Sequence, residues 1–237
     1  MQEKTFSVVT VSKRTGWEEM ATATIARQTE QPDRWIIVSS DMKTTFPKLM
    51  MPSVFCPTVV LQEPKPTRAS NLSASDNHGL REVDTDYVIF YQDFIELPPD
   101  CFEKLLALAD ENTFVGTVTK NPEGVKEDPR YLGVDCPRPC LPDEWETNVA
   151  LAPMKAIREL GGFDEEYDDG FAWDNVNIAD RAAMLGYKFI LDESNRPQLL
   201  PHPPAHNGEI EPNGERHARI MREIREGKRP IKCNYVV

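Results

Sequence analysis

Short apolar runs in the first half of the chain alternate with helix-forming segments, and this alternation restricts the fold more than any other pattern. The runs are FSVVTVS at Phe6–Ser12, RWIIV at Arg34–Val38 and YVIFY at Tyr87–Tyr91. Runs rich in Val, Ile and aromatic residues predict buried strands. Strand–helix–strand alternation predicts a parallel sheet with helices on both faces. We therefore predict a single α/β domain with a mostly parallel sheet.

The remaining elements follow from the same patterns. Further strands are predicted at 58–61, 114–119, 147–152 and 188–191, and helices at 17–28, 74–83, 99–110, 175–185 and 211–227. The stretch from Asn121 to Asp143 is rich in Pro, Gly and charge. That composition predicts a flexible flap.

The composition and the absence of several known motifs disfavour several classes of protein. The net charge of −12 over 237 residues disfavours nonspecific attraction to nucleic acid or anionic lipid. Five cysteines without zinc-type pairing predict a reduced, cytoplasmic chain. We find no signal peptide and no long apolar run, so we expect no membrane span. No phosphate-binding Gly-rich loop, nucleophile elbow or His-Glu-x-x-His motif is present, which disfavours most kinases, dehydrogenases and hydrolases.

Polar residues that end predicted strands are the first candidates for a ligand site, because open α/β sheets bind ligands at the carboxyl ends of their strands. These residues are Ser12, Asp41 and Asp93. The carboxylate of Asp93 suits a hard divalent cation. The alternative for Asp93 is a turn-forming role.

The segment from Leu160 to Tyr187 is the second candidate. It places Asp174 at the start of a predicted helix, beside Phe171 and Trp173. Aromatic rings next to a carboxylate can hold a sugar ring and deprotonate its hydroxyl. The alternative is that Asp174 caps the helix.

Three further polar clusters each have a functional and a structural interpretation. His202 and His206 could supply an imidazole to a Mn²⁺-like ion, or they lie in an exposed loop. Asn77 could contact ribose or phosphate, or it belongs to a cap or turn. A basic stripe could hold a pyrophosphate, or it forms a salt-bridged face; its members are Arg216, Arg219, Arg222 and Arg225.

In this order, the segments resemble nucleotide-sugar-dependent glycosyltransferases of the GT-A fold, and family 2 in particular. Residues 6–41 resemble the family's first strand, helix and second strand, and YVIFYQDF resembles the strand that ends in its Asp-x-Asp metal motif. LGGFDEEY and WDNVNIADRAAMLGY resemble the acceptor-side block of this family and of the β-1,4-galactosyltransferases, and IEPNGERHARI resembles the region after the galactosyltransferase metal histidine. The resemblance covers about residues 5–220 and implies a GT-A, Rossmann-like sheet.

The chain departs from the family pattern at three positions. Tyr91 stands where the Asp-x-Asp motif has its first Asp, and Asp76 stands where the family usually has Arg. The family's base aligns with Asn175, which cannot accept a proton usefully. We therefore assign the base to the neighbouring Asp174.

The resemblance implies a metal-dependent, inverting transfer of sugar from a nucleotide-diphosphate sugar, with a UDP-sugar as the first candidate, to an acceptor hydroxyl. Asp174 would be the catalytic base, and a divalent metal (Mn²⁺ or Mg²⁺) would assist the leaving diphosphate. Ser12, Asp41, Asn77 and Asp93 would bind the donor. The metal ligands would be Asp93 and His202 or His206. Phe171, Trp173 and Trp145 would stack on the acceptor.

Residues 1–119 would then form the nucleotide-sugar-binding half, and residues 120–237 the acceptor half of the same domain. The flap at 121–143 would close over the donor. The acceptor is left open between a glycan, a small molecule and a hydroxymethylated DNA base, as for virus-encoded DNA glycosyltransferases. A non-catalytic nucleotide-sugar or carbohydrate binding module is the alternative, because Tyr91 and Asn175 depart from the catalytic pattern.

Overall fold

The computed structural model describes residues 4–14, 16–40, 56–64, 71–201 and 212–236. Its strands are β1 (Phe6–Ser12), β2 (Arg34–Ser39), β3 (Thr58–Gln62), β4 (Tyr87–Tyr91), β5 (Ile95–Glu96), β6 (Thr113–Thr117), β7 (Pro137–Pro139), β8 (Val149–Pro153), β9 (Lys188–Asp192) and β10 (Gln198–Leu199). Its α-helices are α1 (Glu18–Ala26), α2 (Leu72–Leu80), α3 (Cys101–Leu108), α4 (Met154–Leu160), α5 (Asp174–Met184) and α6 (Gly214–Arg225).

Within the described residues, eight strands form one sheet in the order β3-β2-β1-β4-β8-β6-β9-β7. The pairs β2–β3, β1–β2, β1–β4 and β6–β9 are parallel. The strands β8 and β7 run antiparallel to their neighbours. The predicted α/β class with a mostly parallel sheet is therefore confirmed.

The two faces of the sheet carry separate apolar cores. Along β1, Val8 packs into one core with Trp35 and Phe102, whereas Val9 packs into the other with Phe90. This alternation follows from the two-residue period of a strand, which sends successive side chains to opposite faces. Helices cover both faces, as the strand–helix alternation predicted.

The stretch predicted as a flexible flap contains a strand near its C-terminal end. The strand β7 pairs with β9 and is the last strand at one edge of the sheet. In the order of strands, it is the fourth strand after β4. The guanidinium of Arg138 forms ion pairs with Glu193 (2.6 Å) and Glu144 (2.7 Å). The physical reason is charge pairing with residues on other segments, which the composition of the stretch alone does not reveal.

None of the helices in the described ranges has the length and apolar character needed to cross a lipid bilayer.

Candidate active site

A pocket lies at the carboxyl ends of β1 and β4, where the sequence predicted a ligand site. One wall carries Lys13 and Arg14, which directly follow β1. Another wall carries Asp168 and Phe171, from the loop between the short 3₁₀ helix Glu165–Tyr167 and α5, and Asp174, the first residue of α5. The pocket therefore has one cationic wall and one acidic and aromatic wall.

Asp174 has the environment expected of a proton acceptor. It is the first residue of α5 and is 7% exposed, and its Oδ2 has no hydrogen-bond partner among the described residues. Burial raises the pKa of this carboxyl, although hydrogen bonds from the backbone N–H groups of Asp174 and Asn175 oppose the shift. Burial acts in this direction because it penalises the charged form. A raised pKa makes the carboxylate a better base near neutral pH.

Two further carboxyl groups lie near Asp174. Asp76 and Asp168 are both buried. Burial, followed by the charges of Asp174 and Asp168, raises the pKa of Asp76 well above its ordinary value. Asp76 occupies the position where the resembled family usually has Arg, so this part of the site is acidic instead of basic.

The loop that leads into α5 has an unusual backbone. Asp169, Ala172 and Trp173 have φ angles of 68°, 60° and 72°. Non-glycine residues in this left-handed region cost about 1–3 kcal/mol each and cluster at functional sites. The strain must therefore be offset by contacts with neighbouring segments.

Those contacts come from the start of α6. The amide Nδ2 of Asn213 donates hydrogen bonds to the carbonyl oxygens of Tyr167 (2.9 Å) and Ala172 (3.2 Å). A Cβ added at Gly170 would lie 2.1 Å from Asn213 Oδ1, so any other residue there would displace the Asn213 amide. Asn213 therefore holds both ends of the loop that carries Phe171.

His217, one turn further along α6, supports the same loop. Its Nδ1 lies 2.9 Å from the hydroxyl of Tyr167, and its Nε2 lies 3.2 Å from a carboxylate oxygen of Asp180. Its ring centroid is 5.0 Å from that of Trp173. The sequence did not single out Asn213 or His217, because their partners are distant in the chain. The only signal was that IEPNGERHARI resembles a galactosyltransferase segment.

Two of the three aromatic residues predicted at the acceptor side lie beside the pocket. Phe171 lines it, and Phe171 and Trp173 are 37% and 38% exposed. Trp145 is different, because it is completely buried and makes edge-to-face contacts with Phe90 and Phe114. Trp145 therefore belongs to the core, and the acceptor role predicted for it does not fit this position.

Asn77 also has a structural position. It is completely buried, its Nδ2 donates to the carbonyl oxygen of Phe163 (2.9 Å), and its Oδ1 accepts from the N–H of Phe163 (2.8 Å). These bonds tie α2 to the segment before the active-site loop. The predicted contact with ribose or phosphate does not fit an amide that already has these partners.

Ser12 and Asp93 are brought together, as the sheet topology requires. The Ser12 hydroxyl donates to Asp93 Oδ2 (2.5 Å), and Arg14 Nη1 lies 2.5 Å from Asp93 Oδ1. Asp93 is 1% exposed, and it does not line the pocket, whereas Arg14 does. Asp93 therefore lies behind Arg14.

The described residues contain only one of the predicted metal ligands, Asp93. Nowhere in the described ranges do three His, Cys, Asp or Glu side chains lie close enough to share a metal ion. Tyr91, at the first position of the Asp-x-Asp motif, is 1% exposed and donates its hydroxyl to the carbonyl oxygen of Ile95 (2.9 Å). His202 and His206, and the donor-site candidate Asp41, lie outside the described residues.

The basic stripe on α6 is partly salt-bridged and partly exposed. Arg219 forms ion pairs with Glu166 and Glu223. Arg222 and Arg225 are exposed, and Arg216 donates to the carbonyl oxygen of Asp168 (3.2 Å). The structural interpretation of the stripe is therefore the better one.

Comparison with known proteins gives a consistent result at the level of the fold. No protein-family model matches the sequence, and no curated protein matches it. Solved structures do match. The 1–349 fragment of S. aureus TarS in complex with UDP-GlcNAc has a TM-score of 0.70 at 12% identity, over 93% of this chain and 65% of that one.

Two further structures are similar. GalNAc-T7 with UDP, GalNAc and Mn²⁺ has a TM-score of 0.70 at 12% identity, over 93% of this chain and 48% of that one. The mannosyltransferase PcManGT from Pyrobaculum calidifontis, in complex with GDP-Man and Mn²⁺, has a TM-score of 0.60 at 16% identity, over 82% and 56%. The chain thus spans less than two thirds of each of these three structures. The sheet order, the position of the pocket and these neighbours show that the chain has the GT-A glycosyltransferase fold.

Proposed function

We propose that the pocket binds a nucleotide-diphosphate sugar, with a UDP-sugar as the first candidate, and transfers its sugar to an acceptor hydroxyl. The observation that carries this proposal is the buried Asp174 carboxylate, whose Oδ2 has no hydrogen-bond partner among the described residues and which lines the same pocket as Lys13 and Arg14. The neighbours support the donor class, because their structures contain UDP, UDP-GlcNAc or GDP-Man.

The two walls suit the two halves of the reaction. The acceptor oxygen attacks the anomeric carbon of the donor and forms the new glycosidic bond. The bond from that carbon to the diphosphate oxygen breaks, and the diphosphate leaves with the electron pair. The acceptor proton passes to Asp174 as general base. With the base and the leaving group on opposite sides of the sugar, the anomeric configuration would invert.

The half-exposed rings of Phe171 and Trp173 suit the acceptor, because an aromatic face packs well on the apolar side of a sugar ring. Asp41, which follows β2 in the sequence, is the proposed contact to the nucleoside, whereas Ser12 is 2% exposed and its hydroxyl donates to Asp93. Two of the neighbours contain Mn²⁺, so the test must also ask whether nucleotide binding requires a divalent metal.

One observation favours a second candidate, a non-catalytic nucleotide-sugar binding module. Asp93 is the one remaining acidic residue of the Asp-x-Asp motif, and it is paired with Arg14. A site that binds donor without transferring sugar would show nucleotide binding and no turnover with any acceptor.

The test begins with calorimetric titration of UDP and GDP, each with Mn²⁺ and with EDTA. Sugar transfer is then measured with a panel of glycans, small alcohols and hydroxymethylated DNA. Asp174→Asn should bind nucleotide like wild type but transfer sugar at least about 100-fold more slowly, which is the usual contribution of a general base.

The control is Asp84→Asn, because that carboxyl is 69% exposed and lies outside the pocket lining. It should leave both binding and transfer unchanged. Wild-type turnover by Asp174→Asn would contradict the assignment of the base. Binding without transfer by the wild type would favour the binding module.

A further inference from the structure

The cationic wall of the pocket is built from two ion pairs in which the carboxylates are buried and the cations are more exposed. Lys13 Nζ lies 2.7 Å from a carboxylate oxygen of Glu63, with side-chain exposures of 24% and 3%. Arg14 Nη1 lies 2.5 Å from Asp93 Oδ1, with exposures of 17% and 0%. Lys13 and Arg14 line the pocket, and Glu63 and Asp93 do not.

Several contacts fix the position of Arg14. Its guanidinium carbon lies 4.8 Å from the centroid of the Phe94 ring, and its backbone N–H donates to Ser12 Oγ (3.1 Å). The same Ser12 hydroxyl donates to Asp93. A guanidinium held in this way needs little rearrangement to bind an anion, and its geometry matches phosphate oxygens.

We propose that Lys13 and Arg14 bind the diphosphate of the nucleotide donor directly and take the place of a divalent cation at Asp93. This inference rests on the proposed function and specifies how its donor is held. Both carboxylate oxygens of Asp93 already have donors, and Arg14 lies between Asp93 and the pocket. A metal ion at Asp93 would have to displace a positively charged group.

Tyr91, two positions before Asp93 in the Asp-x-Asp motif, agrees with the proposal that no metal ion binds at Asp93. Tyr91 replaces the carboxylate that would share a metal with Asp93, and its hydroxyl is buried against the carbonyl oxygen of Ile95. The second acidic ligand is therefore lost, and a basic pair stands at the end of β1. Negative charge grows on the diphosphate as the glycosidic bond to it breaks, and fixed cations beside it stabilise that charge.

The experiment measures UDP and GDP binding by calorimetry, in Mn²⁺ and in EDTA, for the wild type and a set of variants. The wild type should bind a nucleotide with similar affinity in the two buffers. Arg14→Ala should weaken binding by about 10- to 100-fold in both, which corresponds to the loss of a charge-assisted hydrogen bond. Arg14→Lys should lose less affinity, because it keeps the charge without the planar fork.

Asp93→Asn separates this inference from a metal site. The Asn oxygen can still accept from Arg14, so nucleotide binding in EDTA should persist. A metal ligand at Asp93 would instead make binding depend on Mn²⁺, and Asp93→Asn would abolish it. Binding that depends on Mn²⁺ and is abolished by Asp93→Asn would overturn the inference and leave the proposed function standing.

Two controls complete the design. Arg27→Ala removes an arginine of a more exposed ion pair, with Glu96 (2.9 Å), that lies outside the pocket lining, and it should not change binding. The double variant Arg14→Ala, Asp93→Asn avoids an unpaired buried carboxylate, so its binding can be compared at equal folding, monitored by thermal unfolding. If the folded double variant bound nucleotide like wild type in EDTA, the inference would be overturned. No binding of UDP or GDP to the wild type in either buffer overturns both proposals.

Discussion

Removing the amide of Asn213 should release the loop that carries the acceptor-side residues. In the structure, Asn213 is 3% exposed, and its Nδ2 bonds the carbonyl oxygens of Tyr167 and Ala172. The backbone contacts of Asn213, from its N–H to the carbonyl of Phe171 and from the N–H of His217 to its carbonyl, do not depend on the side chain. Asn213→Ala therefore perturbs the two loop bonds specifically.

The expected magnitude follows from those two bonds. Each contributes about 1 kcal/mol net, so Asn213→Ala should cost about 2 kcal/mol of unfolding free energy. For a chain of this size that corresponds to a fall of about 4–8 °C in the unfolding midpoint. Asn213→Asp should cost more, because an ionised carboxylate is only an acceptor and would face two carbonyl oxygens.

The assay is thermal unfolding, followed by measurement of UDP affinity and of the acceptor KM. Asn121→Ala is the matched control, because its amide bonds an exposed carbonyl, that of Lys126 (2.7 Å), in a segment outside the pocket lining. It should change the unfolding midpoint little. For Asn213→Ala, we expect a higher acceptor KM with unchanged UDP affinity. An unfolding midpoint equal to that of wild type would refute the argument that Asn213 holds the loop.

Two other substitutions test the acidic and aromatic wall. Burial and the charges of Asp174 and Asp168 raise the pKa of Asp76, so its ionisation opposes folding. Asp76→Asn should therefore raise the unfolding midpoint at pH 7. The gain should disappear below about pH 4, where aspartates of the unfolded chain are also protonated. A gain in the unfolding midpoint that persists in acid would contradict this explanation. Trp173→Ala should raise the acceptor KM without changing UDP affinity, and a loss confined to UDP binding would place Trp173 at the donor instead.

The central elements of the fold were predictable because their signals are local. The β-branched runs at β1, β2 and β4 form strands where expected, and their alternating residues reach opposite cores. The position of Asp174 at the start of α5 was also predictable from local pattern, because a helical periodicity begins directly after it. The exact start still differed, since Trp173 takes the cap position and Asp174 is the first helical residue.

Which residues belong to the site depends on contacts between residues that are far apart in the sequence. Trp145 and Asn77 have types common in binding sites, and only packing decided that both are buried. Local composition likewise predicted a flap at 121–143, whereas Arg138 fixes part of it against Glu193.

The sequence by itself therefore determined the central strands, five of the six α-helices of the described residues and the α/β class, because hydrophobic periodicity and β-branched content act over a few neighbouring residues. The tertiary structure alone decided that Arg14 covers Asp93, 79 residues away, and that Asn213 holds carbonyl groups 41 and 46 residues away. Such pairs form because the sheet order and the docking of α6 bring their segments together, and no local pattern specifies either.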